Sequence, residues 1–330
     1  MPGFLTHYLF SINTYHALKK KTLQDIIKEH KQVYFLGAQG PDIFFYYLPC
    51  NLNKKKQLGS TMHHTCTSDF FHCCLKEIPK LKEESEREIA LAYVSGFLCH
   101  YTLDSISHPF IYARTDYDRY VKEVKAPLSY GAEHCNYETK IDSNMLKRYK
   151  KTSPSKMNYK EMLKITKQET LTLASFLTDT INSTYFKENG YSYVNESFIK
   201  RTLKYMPYEL KLLQDKYGWK RPAAYFLEKY TVKFHLLSGL ITTDRLFENE
   251  DVLNLKKESW ASPWVPDLLK DETFVEIFEE ATKCGAYRLD SLSSAWSNLE
   301  NPEVYASEVA KLVKHLGNLS YNSGLDWRLG

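Results

Sequence analysis

With 330 residues, 43% of them hydrophobic and 25% charged, the chain has the composition of a folded globular protein large enough for a sizeable core. A formal net charge of +4 is too small to call for a specific nucleic-acid partner. Only 13 glycines and 12 prolines punctuate it, which argues against a turn-rich β architecture and predicts an all-α fold.

Apolar residues recur at three- and four-residue steps near 4–30, 61–79, 86–108, 132–150, 159–185, 195–217, 221–246, 273–297 and 302–317, each predicted as helical. Breakers fall between these segments: Gly40-Pro41, Pro49, Pro79, Pro109, Pro127 with Gly131, Pro154, Gly190, Gly218, and Pro263 with Pro266. Asp271 ahead of Phe274 and Glu276, and Asn301-Pro302, read as helix starts. A short β element is the alternative to helix around Gln32–Leu36, and 247–272 reads as a long structured loop. No internal repeat or low-complexity linker divides the chain. A single helical domain over 1–330 is expected, with the chemistry-bearing residues in about 1–145 and a helical remainder in about 146–330.

The first candidate residue in chain order is His7, a polar residue within the apolar Phe4–Leu9. Asp42 follows Gly37-Ala38-Gln39-Gly40-Pro41, a turn that places its carboxylate either as a helix cap or in a site. The aromatic run Phe44-Phe45-Tyr46-Tyr47 behind it is either core or the lip of an interface. Lys54-Lys55-Lys56 suits a solvated loop, with a phosphate-bearing surface as the alternative. His63 and His64 are neighbours, and neighbours on a helix point about 100° apart, so one of the two at most reaches a shared ligand.

The run Ile89–Leu103 is nearly all apolar and belongs to a helix buried on most sides. Within and just after it stand His100, Asp104 and His108, four residues apart, and each such step advances about 400° around an α-helix. The three side chains therefore share one slowly drifting stripe. An unpaired Asp104 in that setting would cost several kcal/mol, a penalty that a bound cation removes. His134 and Glu138 repeat the spacing. Imidazole and carboxylate are ligands suited to zinc, so a metal-dependent hydrolytic site is the leading expectation. His16, His30, His72, His235 and His315 lack such partners and read as surface or helix-packing residues.

The seven cysteines form no paired spacing, and their odd number argues for reduced thiols. The start of the chain has no basic region ahead of its apolar stretch, which Thr6 and His7 interrupt, and no segment approaches the length of a membrane span. A cytoplasmic location is expected.

The order of these elements resembles the zinc-dependent phospholipase C family, helical enzymes that share a multinuclear zinc architecture with the P1/S1 nucleases. The resemblance rests on MPGFLTHYLF with His7, LGAQGPDIFFY with Asp42, and GSTMHH with His63. GFLCHYTLDSISHP then carries His100, Asp104 and His108, and AEHCNYETKID carries His134 and Glu138. It spans roughly the first 145 residues. The resemblance implies one zinc held by His63, His100 and Asp104, and a second by His108, His134 and Glu138. A third would use His7, with Asp104 bridging it to the first, and Asp42 would lie against the metal-bound water. Two or three ions are expected. In secreted members the mature N-terminal residue supplies its amine and carbonyl to the third zinc. Here either the terminus at Met1-Pro2 folds into the site or the third metal is weaker or absent. His63 fits the Gly-x-x-x-His pattern after Gly59 better than His64 does, and the choice between them stays open. The Asp104-to-His108 spacing is tighter than in the secreted enzymes.

The activity so implied is hydrolysis of a phospholipid or related phosphodiester, with transient contact at a membrane surface. A nuclease or nucleotidase on the same metal core is one alternative, and a non-catalytic zinc-stabilised helical protein is another.

Overall fold

A computed structural model describes residues 3–46, 58–115, 127–189, 194–231, 236–244 and 250–328. The lysine run at 54–56, with Tyr47, Pro49, Cys50, Gly190 and His235, lies outside the described residues. Helices dominate, as expected. In chain order they are α1 (Phe4–Ala17), α2 (Lys21–Glu29), α3 (Lys31–Gly37), a 3₁₀ turn (Gly40–Tyr46), α4 (Leu58–His64) and α5 (Thr67–Glu77). Next come α6 (Glu84–Arg114), α7 (Pro127–Lys150), α8 (Tyr159–Met162), α9 (Lys167–Asn189) and α10 (Glu196–Leu212). The last are α11 (Lys220–Thr231), α12 (Leu236–Leu240), α13 (Phe274–Trp296) and α14 (Pro302–Leu316). The strands form two small two-stranded pairs. Gln214–Asp215 lies parallel to Thr242–Thr243, and Trp260–Ser262 lies antiparallel to Val265–Lys270.

The apolar helix α6 is the axis of the molecule. Every residue from Ile89 to Ser105 is buried, because α3, α1, α9 and α13 pack around it. Its start is fixed by a capping box between Glu83 and Glu86. The crossing with α3 is a backbone-to-backbone contact. A Cβ on Gly96 would fall 2.1 Å from the Tyr34 carbonyl oxygen, and one on Gly37 would fall 2.1 Å from that of Tyr93. This approach brings the end of α3, and the 3₁₀ turn after it, directly over the next helical turn of α6.

The single helix expected over 4–30 is two, α1 and α2, with α3 following from Lys31. The carboxylate of Asp290 on α13 accepts from the amides of Lys19 and Lys20, both at 3.0 Å, where the chain leaves α1. The expected helix over 61–79 is likewise divided, at Cys66, whose left-handed backbone (φ 54°) separates α4 from α5. No strand forms at Gln32–Leu36. Val33, Tyr34 and Leu36 are all buried in α3, and a short apolar run of this kind suits a buried helix as well as a strand. Pro109, read as a breaker, sits inside α6, which continues to Arg114. Proline has no N–H to give the carbonyl of Ser105, one turn earlier. Gly324 approaches that carbonyl so closely that a Cβ there would lie 2.4 Å from the oxygen. The predicted start at Asn301 stands as the cap of α14, and the one read at Asp271 falls at Thr273, which caps α13. The stretch 247–272 contains the hairpin Trp260–Lys270, anchored where Trp260 packs edge-on against Phe110 with ring centres 5.3 Å apart.

The N-terminus of α1 is capped from a distance. Asp142 on α7 accepts from the amides of Leu5 (3.0 Å) and Thr6 (2.8 Å) and from the Thr6 hydroxyl (2.6 Å). Gly3 leaves the room for it, since a Cβ there would lie 2.0 Å from an Asp142 oxygen. Burial pushes the Asp142 carboxyl up to about 7, against the pull of these hydrogen bonds. The bonds set the rotation of α1, and His7 lies one residue beyond them.

Candidate metal centre

All eight predicted site residues are buried. They come from five separate elements: His7 from α1, Asp42 from the 3₁₀ turn, His63 from α4, His100, Asp104 and His108 from α6, and His134 and Glu138 from α7. Asp104 is the hub. Its Oδ1 lies 3.1 Å from His7 Nε2 and 3.6 Å from His108 Nδ1, and its Oδ2 lies 3.0 Å from His100 Nε2 and 3.7 Å from His63 Nε2. A second focus is Glu138, whose Oε1 is 2.8 Å from His134 Nε2 and 3.4 Å from His108 Nε2. His108 therefore turns one ring nitrogen to each focus.

Among the described residues, three sets of ligand atoms gather closely enough to share an ion, the atoms of each set lying within 4.8 Å of one another. They are His63, His100 and Asp104; His108, His134 and Glu138; and His7, Asp42 and His100. The first two sets coincide with the groupings expected from sequence. Asp42, expected against a water, stands among the ligand atoms in the third, and its Oδ1 is 3.1 Å from His63 Nε2. The third set thus puts Asp42 and His100 beside His7, where Asp104 was expected.

His63 turns inward and His64 does not. The His63 Nδ1–H donates to the Gly59 carbonyl at 2.6 Å, which leaves its Nε2 lone pair facing the two aspartates. His64 is exposed, donates from Nδ1 to the Ser60 carbonyl at 2.7 Å and places Nε2 2.8 Å from the Asn322 amide. Stacking holds other rings in place. His7 lies parallel to His100 with centres 4.1 Å apart, and His108 lies parallel to His134 at 5.3 Å. Gly40, at φ +51°, lets the turn rest on the His100 imidazole, for a Cβ would meet that ring at 2.3 Å.

The chemistry of the donor set fits a cation. Among the described residues, both oxygens of Asp104, both ring nitrogens of His7 and of His100, and Nε2 of His63 are buried without a hydrogen bond of good geometry. Native proteins rarely leave so many polar atoms unsatisfied in one place. Burial pushes the Asp104 carboxyl up, but the imidazoles of His100, His108 and His7 outweigh it and hold the group well below the ordinary carboxylate range. Burial lowers the His134 imidazole to about 4 despite the neighbouring Glu138, so at neutral pH its lone pair is open for coordination. Neutral imidazoles and anionic carboxylates aimed at common points are what zinc requires.

Several supporting residues carry no signal in the sequence pattern. Tyr321, in the loop after α14, is buried with its ring 5.1 Å from His63 and 5.7 Å from His100, and its amide donates to the His63 carbonyl at 3.0 Å. Tyr112 backs His134 at 4.6 Å, and Trp264 of the hairpin meets Tyr112 at 4.9 Å, giving the second focus an aromatic wall. Only the turn composition Asn322-Ser323-Gly324 hints at an ordered loop after α14. The aromatic run behind Asp42 is mainly core. Phe44 is buried and stacks on Phe198 at 5.9 Å, and Phe45 and Tyr46 are half-buried. The cysteines at 66, 73, 74, 99, 135 and 284 are free thiols, and His30, read as helix-packing, pairs with Glu169 at 3.1 Å. Among the described residues no helix is long and apolar enough to cross a membrane.

No curated protein and no solved structure matches the chain. The family model described as zinc dependent phospholipase C matches residues 6–191, more than half of the chain and every residue of the cluster. The chain belongs to the zinc-dependent phospholipase C family.

Proposed function

We propose that this protein is a zinc-dependent phosphodiester hydrolase that releases the phosphorylated headgroup of a glycerophospholipid or of a related diester. The observation that carries this reading is the gathering of three buried His/carboxylate sets, linked through His100, Asp104 and His108 on one helix, inside the stretch that matches the family. His63, His100 and Asp104 would hold one ion, His108, His134 and Glu138 a second, and His7 with Asp104 a third. When bound, adjacent zinc ions lower the pKa of water and neutralise charge on the phosphoryl and leaving oxygens. The protein's own part is to hold the donors rigidly. Asp104 faces two groups at once, His108 bridges the two foci, and the hydrogen bond to Gly59 fixes the tautomer of His63. Asp42, whose Oδ1 has no hydrogen bond of good geometry among the described residues, would receive the proton of the attacking water. The free thiols fit a cytoplasmic setting.

The variant Asp42→Asn tests this role. Turnover of a phosphodiester is expected to fall by about 10²–10⁴-fold while zinc content stays at the wild-type level. Zinc lost together with activity would make Asp42 a ligand alone. Unchanged turnover would remove it from the mechanism, and a metal-loaded protein inert on every diester would leave a structural zinc site.

A further inference from the structure

The helices α10 and α11 and the connection between them, beyond the stretch that matches the family, carry large side chains on the outside. Leu212 (70%), Tyr217 (77%), Trp219 (60%), Phe226 (61%), Leu227 (65%) and Tyr230 (67%) are all mostly exposed. The pattern on α11 is inverted relative to a normal surface helix. Its buried positions are Ala224 and Glu228, and its outer face is Phe226, Leu227 and Tyr230. Exposed apolar patches of this kind mark interaction sites.

The charges around the patch are sorted by sign. Lys204, Lys211, Lys216 and Lys229 are exposed. Lys216 and Lys229 lie 5.6 Å and 6.0 Å from the rings of Tyr217 and Tyr230. Two of the carboxylates in the same stretch are buried and turned inward. Asp215 accepts from the amides of Trp219 (3.1 Å) and Arg221 (3.0 Å), and Glu228 accepts from the amides of Leu237 and Ser238 and from the Ser238 hydroxyl. Of the others, Glu209 is half-buried, and Glu196 at the start of α10 is exposed and pairs with Lys200 at 2.7 Å. The outer face is therefore aromatic, aliphatic and cationic together. A lipid surface takes that combination, with rings and leucines at the acyl boundary and lysines at the phosphates.

The patch is also tied to the metal centre. The Thr139 hydroxyl donates to the Gly239 carbonyl at 2.7 Å, and a Cβ on Gly239 would meet the Ala132 carbonyl at 2.9 Å, so α12 lies flat on the part of α7 that bears His134 and Glu138. Arg221 joins α11 to the same part, donating to Asn136 Oδ1 at 2.5 Å and to the Ile241 carbonyl at 3.1 Å. On its other side α10 packs against the turn that carries Asp42, through Phe198 and Phe44.

We infer that the outer face of α10–α11 is the membrane-docking surface of the enzyme, binding an anionic phospholipid bilayer beside the metal centre; this rests on the phospholipase reading of that centre. The test is co-sedimentation of the zinc-loaded full chain with mixed phosphatidylcholine–phosphatidylserine vesicles, against the triple variant Phe226→Ser, Leu227→Ser, Tyr230→Ser. The wild type is expected to bind these vesicles better than pure phosphatidylcholine, and less well as salt rises. The triple variant should lose at least about tenfold in vesicle affinity while its turnover of a monomeric, water-soluble phosphodiester is unchanged. A wild type that ignores vesicles, a variant that binds them equally, or binding by these residues of single-stranded oligonucleotide in place of lipid would each overturn the inference. Vesicle binding that depends on the three residues, with no turnover of any diester, would sustain the surface and reject the catalytic reading alone.

Discussion

Replacing Asp104 by alanine is expected to reduce turnover by about a thousandfold or more and to remove part of the bound zinc. Asp104 is the shared acceptor of the centre, with both oxygens facing ring nitrogens of four histidines and no solvent exposure to soften their loss. Its removal takes the carboxylate from the set with His63 and His100, leaves Asp42 at 3.1 Å as the acid beside His63, and removes the group that faces His7 Nε2. The set His108, His134 and Glu138 does not include Asp104 and should retain its ion. Zinc per chain, measured by elemental analysis, is therefore expected to fall without reaching zero. In Glu138→Ala the loss should come from the other set. Full zinc retention in Asp104→Ala, or complete loss in both variants, would show that the metals are not grouped in this way.

The second large effect concerns packing. Gly96→Ala is expected to destabilise the protein by about 3 kcal/mol or more, because the added methyl meets backbone atoms that cannot rotate away. Its Cβ would lie 2.1 Å from the Tyr34 carbonyl and 2.6 Å from the Ala38 amide nitrogen. To fit it, α3 must move off α6, and the turn bearing Gly40 and Asp42 would leave its place over His100. Gly131 on α7 is the matched control. Nothing lies within 4 Å of its Cβ, and alanine there should be neutral or stabilising by about 0.5–1 kcal/mol. Denaturant unfolding of the two variants measures the difference; equal midpoints would mean that the helices do not touch through Gly96.

What the sequence carried here was periodicity. His100, Asp104 and His108 share a face because four residues is close to one helical turn, and His134 and Glu138 do so for the same reason. Those spacings survive any detail of packing. The choice between His63 and His64 depends on which way α4 is rotated: both rings donate from Nδ1 to a carbonyl four residues back, and only His63 is buried with Nε2 toward Asp42 and Asp104. Pro109 looked like a stop because local chemistry says so, yet tertiary packing against Gly324 carries α6 past it. The Asp142 cap on α1 and the Tyr321 ring behind two of the histidines join residues far apart in the chain, which a single sequence does not disclose. The exposed face of α11 was hidden for another reason. Its apolar spacing suits a core-facing helix, and only burial tells which side faces outward.

The most direct test of the central claim is zinc per folded chain after loading with zinc and dialysis into metal-free buffer at neutral pH. Convergence of the three ligand groups predicts roughly two to three tightly held ions per chain. A chain that stays folded and retains no zinc under these conditions would contradict it.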